Sequence, residues 1–338
     1  MPPQRGPHPS RRRADALRQR RRIRRLPRYL PAALVLALLT ATGAAFLYTE
    51  LLKLEPSPIR TTRIDHELIS PVCDCPTGKT RISFRLRKRD VLTVSIVDSA
   101  GREVRRLATE RPAPQLQPVV FTWNGRVFGG KPAPEGLYRP QVRLELLEKT
   151  ITLPNEIRVD TTKPKVAILS VRPRTISPDD DGRSDHVSVR YGLDEPAQAA
   201  LRVNGVRRVL GKGVRRRGRL DWFGRVAGRP VPPGFYRLAV VAVDRAGNRS
   251  LPAQAGRVRV RYVELAEDAV VVAPRGLVRT LVFTDAVSYR WRLAGRTGTA
   301  RTRRLVVRAP ARPGRYMLFV AARGHADRMI VRVRARRR

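Results

Sequence analysis

The chain has 338 residues, 70 of them Lys or Arg against 28 Asp or Glu, for a formal net charge of +42. That length exceeds what one hydrophobic core usually serves and points to two or three domains. Aromatics at 6% beside 42% hydrophobic residues suit small cores built from Val, Leu, Ala and Ile, which argues against a large enzyme interior, while 28 prolines and 24 glycines call for many turns.

Residues 1–28 form a basic tail in which eleven arginines are opposed by Asp15 alone. The tail lacks aromatics and glycine-rich RNA-binding signatures. It therefore reads as a topology determinant that also attracts anionic headgroups, and nucleic acid is not the expected partner. Next comes a predicted transmembrane helix over 29–52. From Leu30 to Tyr48 no side chain is charged, and at about 1.5 Å per residue this run covers roughly 28 Å, close to the hydrocarbon thickness of a bilayer. Pro31 falls in the first turn, where a missing N–H costs little, and Tyr29 and Tyr48 bracket the run at the interfaces. Arginines precede the run while Glu50 and Lys53 follow it, so positive-inside logic keeps the N-terminus in the cytoplasm and places the remainder outside. The competing reading is a signal peptide cleaved after Ala41-Thr42-Gly43. The long charged flank and the continuation of the apolar run to Tyr48 favour an uncleaved signal anchor.

Residues 53–76 read as a linker holding the two cysteines, Cys73 and Cys75. On the outer side of a membrane they are free to oxidise. A local disulfide and a pair of bridges to a second chain both fit, whereas two thiols without further ligands make no structural zinc site. Gly78-Lys79-Thr80 imitates the end of a phosphate loop but lacks its earlier glycine.

Beyond the linker the sequence repeats. Trp123-Asn124-Gly125-Arg126-Val127-Phe128-Gly129 through Gly136-Leu137-Tyr138-Arg139 returns as Trp222-Phe223-Gly224-Arg225-Val226-Ala227-Gly228 through Gly234-Phe235-Tyr236-Arg237, and Pro313-Gly314-Arg315-Tyr316 is a fainter third copy. The spacing of about one hundred residues matches a whole sandwich domain. Three modules are expected, at 77–160, 165–262 and 264–338. In the first, alternation predicts strands at Ile82–Leu86, Val91–Val97 and Val119–Trp123. After Tyr138 it puts Val142, Leu144 and Leu146 on one face. In the last, strands are predicted at 269–272, 277–283, 288–292, 304–308, 316–321 and 329–333. Tyr138, Tyr236 and Tyr316 head late strands after a glycine, as in a tyrosine corner, and Trp123 and Trp222 pack at a sandwich edge. Val159-Asp160-Thr161-Thr162-Lys163-Pro164 is a short joint stiffened by proline. The expected fold is thus all-β, tandem immunoglobulin-like or fibronectin-like β-sandwiches preceded by one transmembrane α-helix.

Ile176-Ser177-Pro178-Asp179-Asp180-Asp181-Gly182-Arg183-Ser184-Asp185, the strand from Val187 to Glu195, Trp222-Phe223-Gly224, Gly234-Phe235-Tyr236 and Val243-Asp244-Arg245-Ala246-Gly247-Asn248 together resemble the Ig-like domain of the flagellar hook-capping protein, a module also found in bacterial surface proteins. The resemblance covers 165–262 well and 77–160 moderately. It implies a sandwich fold and an extracytoplasmic bacterial setting, but no ligand. A membrane anchor departs from a hook-capping protein, so the flagellar role is not carried over.

Asp179, Asp181 and Asp185 around Gly182 offer oxygen ligands for calcium; an Asp-rich turn stabilised by side-chain to backbone bonds is the alternative. Apart from that ion no cofactor is implied. Four scattered histidines make no catalytic triad, Asp185-His186 reads as the start of a strand, and Asp194-Glu195-Pro196 reads as a turn rather than half of a carboxylate pair. The chain is expected not to be an enzyme. It is expected to bind, space or scaffold at the bacterial cell envelope. The alternatives are a non-catalytic accessory subunit of an envelope enzyme and a protein that docks polyanions. Expected partners are the membrane bilayer and envelope proteins or anionic wall polymers.

Overall fold

A computed structural model describes residues 29–53 and 56–335; the basic tail at 1–28 lies outside the described residues. The described chain falls into two units, one up to Pro58 and one from Ile59 onward. The first holds a single α-helix, Leu30–Lys53. Pro31–Thr49 is long and apolar enough to cross a membrane, and every side chain in it is exposed. Its hydroxyls are turned inward: Thr40, Thr42 and Thr49 donate to carbonyls three or four residues back. A helix that satisfies its own polar groups can face hydrocarbon without unmet donors.

The second unit is all-β and holds three separate cores. The first core gathers Ile82, Phe84, Leu92, Ile96, Trp123, Val142 and Leu144, between a three-stranded sheet (Ile59–Ile64, Thr80–Leu86, Pro118–Trp123) and a six-stranded one. Strands alternate buried and exposed residues, as in Thr80–Leu86 where Arg81 and Arg85 face water while Ile82 and Phe84 face the core. Leu146 breaks the predicted pattern. Its strand ends at Leu144 and Leu146 is exposed in the following turn. The linker expected over 53–76 is also corrected. From Ile59 onward it is part of the first module, because Ile59–Ile64 pairs with Thr80–Leu86 and Leu68–Ile69 pairs with Ile157–Val159, burying Ile59 and Ile69 in the core. Period-two alternation is weak over so few residues, and the proline-flanked cysteines mask it.

In the second module one 17-residue strand, Val187–Val203, serves both sheets. Its first half pairs with Val166–Arg172 and Arg215–Trp222, and its second half with Val206–Leu210 and Gly234–Val243. The register shifts between Gly192 and Ala197. Asp194-Glu195-Pro196, expected as a turn, is therefore the bend by which a continuous strand crosses from one sheet to the other, at a point where proline has no N–H to withhold from a ladder. The third module packs Val263–Leu265, Leu277–Thr284 and Arg304–Arg308 against a five-stranded sheet ordered Ala269–Val272, His325–Val333, Gly314–Ala322, Tyr289–Leu293, Arg296–Ala300. Core membership changes between Tyr262, which belongs to the second core, and Val263, which belongs to the third.

Candidate functional site

The repeated residues build a common end to each module. The hydroxyls of Tyr138, Tyr236 and Tyr316 donate to the carbonyls of Pro134, Pro232 and Arg312, each four residues upstream, at 2.8, 2.8 and 2.9 Å. Trp123 and Trp222 lie beside the first two tyrosines, with ring centroids 5.2 and 5.4 Å apart. Their indole N–H groups donate to Arg126 and Arg225 carbonyls. At 1% and 3% exposure neither indole offers a face to a ligand.

A second repeat, less visible in the sequence, shapes the module ends that meet their neighbours. Leu68–Ile69 and Thr175–Ile176 are two-residue strands, each parallel to the last strand of its module, and each continues as Ser-Pro: Ser70-Pro71 and Ser177-Pro178. The prolines sit against the glycines of the tryptophan motif. A Cβ on Gly125 would lie 2.9 Å from Pro71 Cβ, and one on Gly224 2.6 Å from Pro178 Cγ, and both glycines have positive φ, so only glycine fits.

The first of these loops joins module 1 to the Asp244–Asn248 turn of module 2. The Ser70 hydroxyl, fully buried, donates to Asn248 Oδ1 at 2.5 Å. Asn248 Nδ2 donates to the Asp160 carbonyl at 3.1 Å and to Asp244 Oδ2 at 2.9 Å. Thr77 Oγ1 donates to the Ala246 carbonyl at 2.6 Å. Cys73 and Cys75, for which the sequence left two pairings open, are bridged to each other in this loop. The bridge lies against Gly247, whose φ is +96°; a Cβ there would stand 2.7 Å from Thr77 Oγ1 and closer still to Cys75 Sγ. Beside this joint is a cleft of about 540 Å³ that is acidic in a strongly basic chain. Asp160, Glu195 and Asp244 bring ligand oxygens within 4.8 Å of one another there. Burial and then the neighbouring carboxylates raise Glu195 above its usual range, and burial likewise raises Asp160, with Asp244 adding to it.

The second loop carries the acidic residues read from the sequence, and the structure rearranges that set. Asp185 accepts the backbone N–H groups of Asp180 and Gly182 at 2.9 and 2.8 Å. It caps the turn and is not part of the carboxylate group. Asp179 and Asp181 instead meet Asp285, from the third module, with ligand oxygens within 4.8 Å. Three carboxylates could supply half of the six or more oxygens a calcium ion takes. No sequence signal pairs Asp285 with residues about a hundred positions away. Burial pushes Asp285 up to about 6, with Asp179 and Asp181 adding to the rise. Asp179 is also raised, by burial first and then by Asp181. Around them Tyr262 stacks on His325 at 3.6 Å and donates to the Val231 carbonyl, Asp327 accepts the Leu265 N–H, and Arg259 pairs with Glu264 at 2.5 Å.

The sign of the pH effect follows. A carboxyl whose pKa is higher folded than unfolded favours folding when protonated, so the contribution of Asp285 is fully present below about pH 4 and is lost as pH rises through about 6. Asp285→Asn is expected to stabilise the chain near pH 7 by about 1 kcal/mol, once solvent screening of a partly exposed carboxylate is allowed for, and to flatten the dependence of melting temperature on pH between 4 and 6. Thermal unfolding across that range checks both.

No family model matches the chain, and no curated protein matches it. Among solved structures, fibronectin(III)-like modules of Clostridium thermocellum CbhA show 15% identity, covering 59% of this chain and 93% of that one at a TM-score of 0.32. Titin domains I67-I69 show 8% over 82% and 99% at 0.31, and a 1.5-MDa bacterial ice-binding adhesin 13% over 82% and 98% at 0.29. The chain's own sheets define its class: tandem immunoglobulin- or fibronectin-like β-sandwiches following one apolar helix.

Proposed function

We propose that this is a membrane-anchored spacer or scaffold, held by the Leu30–Lys53 helix with its three sandwiches on the extracytoplasmic side, and without catalytic activity of its own. The observation that carries the reading is the helix surface: Leu34, Leu36, Leu39, Phe46, Leu47 and Tyr48 are all more than half exposed, while its threonine hydroxyls are satisfied internally. Bare apolar surface of this length and extent suits a lipid environment. The interlocked ends of the modules support a spacer, because buried hydrogen bonds across a joint resist bending in a way that a plain linker does not. The arginine-rich flank supports an extracytoplasmic placement of the sandwiches through the positive-inside bias.

The test is a pair of reporters fused after residue 338. An enzyme active only outside the cytoplasm is expected to be active, a fluorescent protein that matures only in the cytosol is expected to be dark, and the fusion is expected to stay with membranes after alkaline extraction. The reverse pair of signals removes the envelope assignment, and release by alkali removes the anchor.

A further inference from the structure

We infer that a groove on the outer sheet face of the second module binds an extended acidic polysaccharide. The inference rests on polyanion docking, one of the roles read from the sequence, and does not depend on the anchor.

The repeat supplies an internal comparison. In module 1 the strand after the tyrosine corner runs antiparallel to the last strand, with Leu137 opposite Arg158; one step further out, Arg139 forms an ion pair with Glu156. In module 2 the same strands place Phe235 opposite Arg259 and Arg237 opposite Arg257. The carboxylate that neutralises the first module is thus replaced by a second guanidinium. Like charges directly opposite on a sheet repel. Arg202 stands one strand over, next to Ala239 in register, and is itself opposite Arg207. Among the described residues no carboxylate lies within 4 Å of Arg202, Arg237 or Arg257, whereas on the corresponding face of module 1 Arg106, Arg139 and Arg143 are all paired. An arrangement that is repulsive alone becomes favourable around an anion, which several guanidiniums can grip through paired N–H donors.

The shape narrows the anion. Arg202, Asn204, Phe235, Arg237, Gln254 and Arg257 border an open groove of about 750 Å³. A groove takes a single chain, while a bilayer surface calls for a broad face. Phe235 is 64% exposed at its rim, with Arg259 over the ring at 5.5 Å. An exposed ring can stack on the apolar face of a sugar, the Asn204 and Gln254 amides can meet hydroxyls, and the arginines can meet the acid groups. Uronate-type repeats supply all three chemistries in one strand.

The experiment measures binding of the full chain in detergent to polygalacturonate, with dextran, single-stranded DNA and anionic phospholipid vesicles as comparators. Wild type is expected to bind polygalacturonate in a salt-dependent way and to ignore dextran. Arg257→Glu recreates the pair that module 1 already tolerates and is expected to weaken binding by about tenfold with unchanged melting temperature. Phe235→Ala is expected to weaken binding without changing its salt dependence, which a purely electrostatic contact would not show. The inference is overturned if polygalacturonate does not bind, if both variants bind it like wild type, or if DNA or vesicles bind at least as tightly and lose affinity in the same variants. None of these results bears on the reporter fusions, so failure here and failure of the anchored-spacer reading are distinguishable.

Discussion

Asn248→Ala is expected to loosen the joint between the first two modules while leaving each sandwich folded. Asn248 is 2% exposed, and its amide meets three groups at once: the Ser70 hydroxyl, the Asp160 carbonyl and the Asp244 carboxylate. Two of those partners come from module 1. Truncation leaves a buried hydroxyl and a part-buried carbonyl unmet, at about 1–3 kcal/mol each, for a loss of roughly 2–6 kcal/mol in the docked arrangement. The turn itself keeps the backbone bonds from Gly247 and Asn248 to Asp244, so module 2 has no reason to unfold. Small-angle scattering is expected to show a broader distribution of particle dimensions, and trypsin is expected to cut faster after the exposed Lys165, since the Lys163–Pro164 bond resists it. Ser70→Ala is expected to act in the same direction with a smaller effect, and the double variant to show coupling between the two sites. Unchanged scattering and cleavage would mean that the contact between modules does not depend on this amide.

Trp123→Ala is expected to unfold the first module. Trp123 is 1% exposed and heads the fully buried side chains by volume; it packs beside Tyr138 and closes the Arg126 carbonyl at 3.0 Å. Truncating a buried aromatic costs about 3–5 kcal/mol, a large share of the stability of a domain this size, about 5–15 kcal/mol. Module 2 keeps its own tryptophan and a separate core. Limited proteolysis is therefore expected to degrade residues 59–160 and spare a fragment beginning near residue 165. Trp123→Phe, which refills most of the space but loses the indole donor, is expected to retain the module with a lower melting temperature. Loss of all three modules together in the alanine variant would show that the joints make the unit cooperative as a whole.

The comparison of modules explains why some of this was readable from the chain alone. A helix of nineteen uncharged residues and the alternation in Thr80–Leu86 are local signals, set by the periods of helix and strand, and the Trp-Gly-Tyr repeat fixes the module count because each copy must bury the same corner. Most strands with strong alternation are legible to within one or two residues, whereas His325–Val333 begins four residues before the expected 329. Ile59–Ile64 was missed, since half its residues face water and its pairing partner lies some twenty residues on. Asp194-Glu195-Pro196 was misread because a polar triplet with proline looks the same in a turn and in a strand changing sheets.

The sequence by itself determined the apolar helix, the all-β class, the repeated tyrosine corners and the basic composition, all of which follow from residues near one another in the chain. Tertiary structure alone decided that Asp285 completes the acid group in place of Asp185, that Ser70 reaches Asn248 across 178 positions, and that Arg257 faces Arg237 where Glu156 pairs with Arg139. Each of these depends on how strands register and how module ends meet, and no local period encodes that.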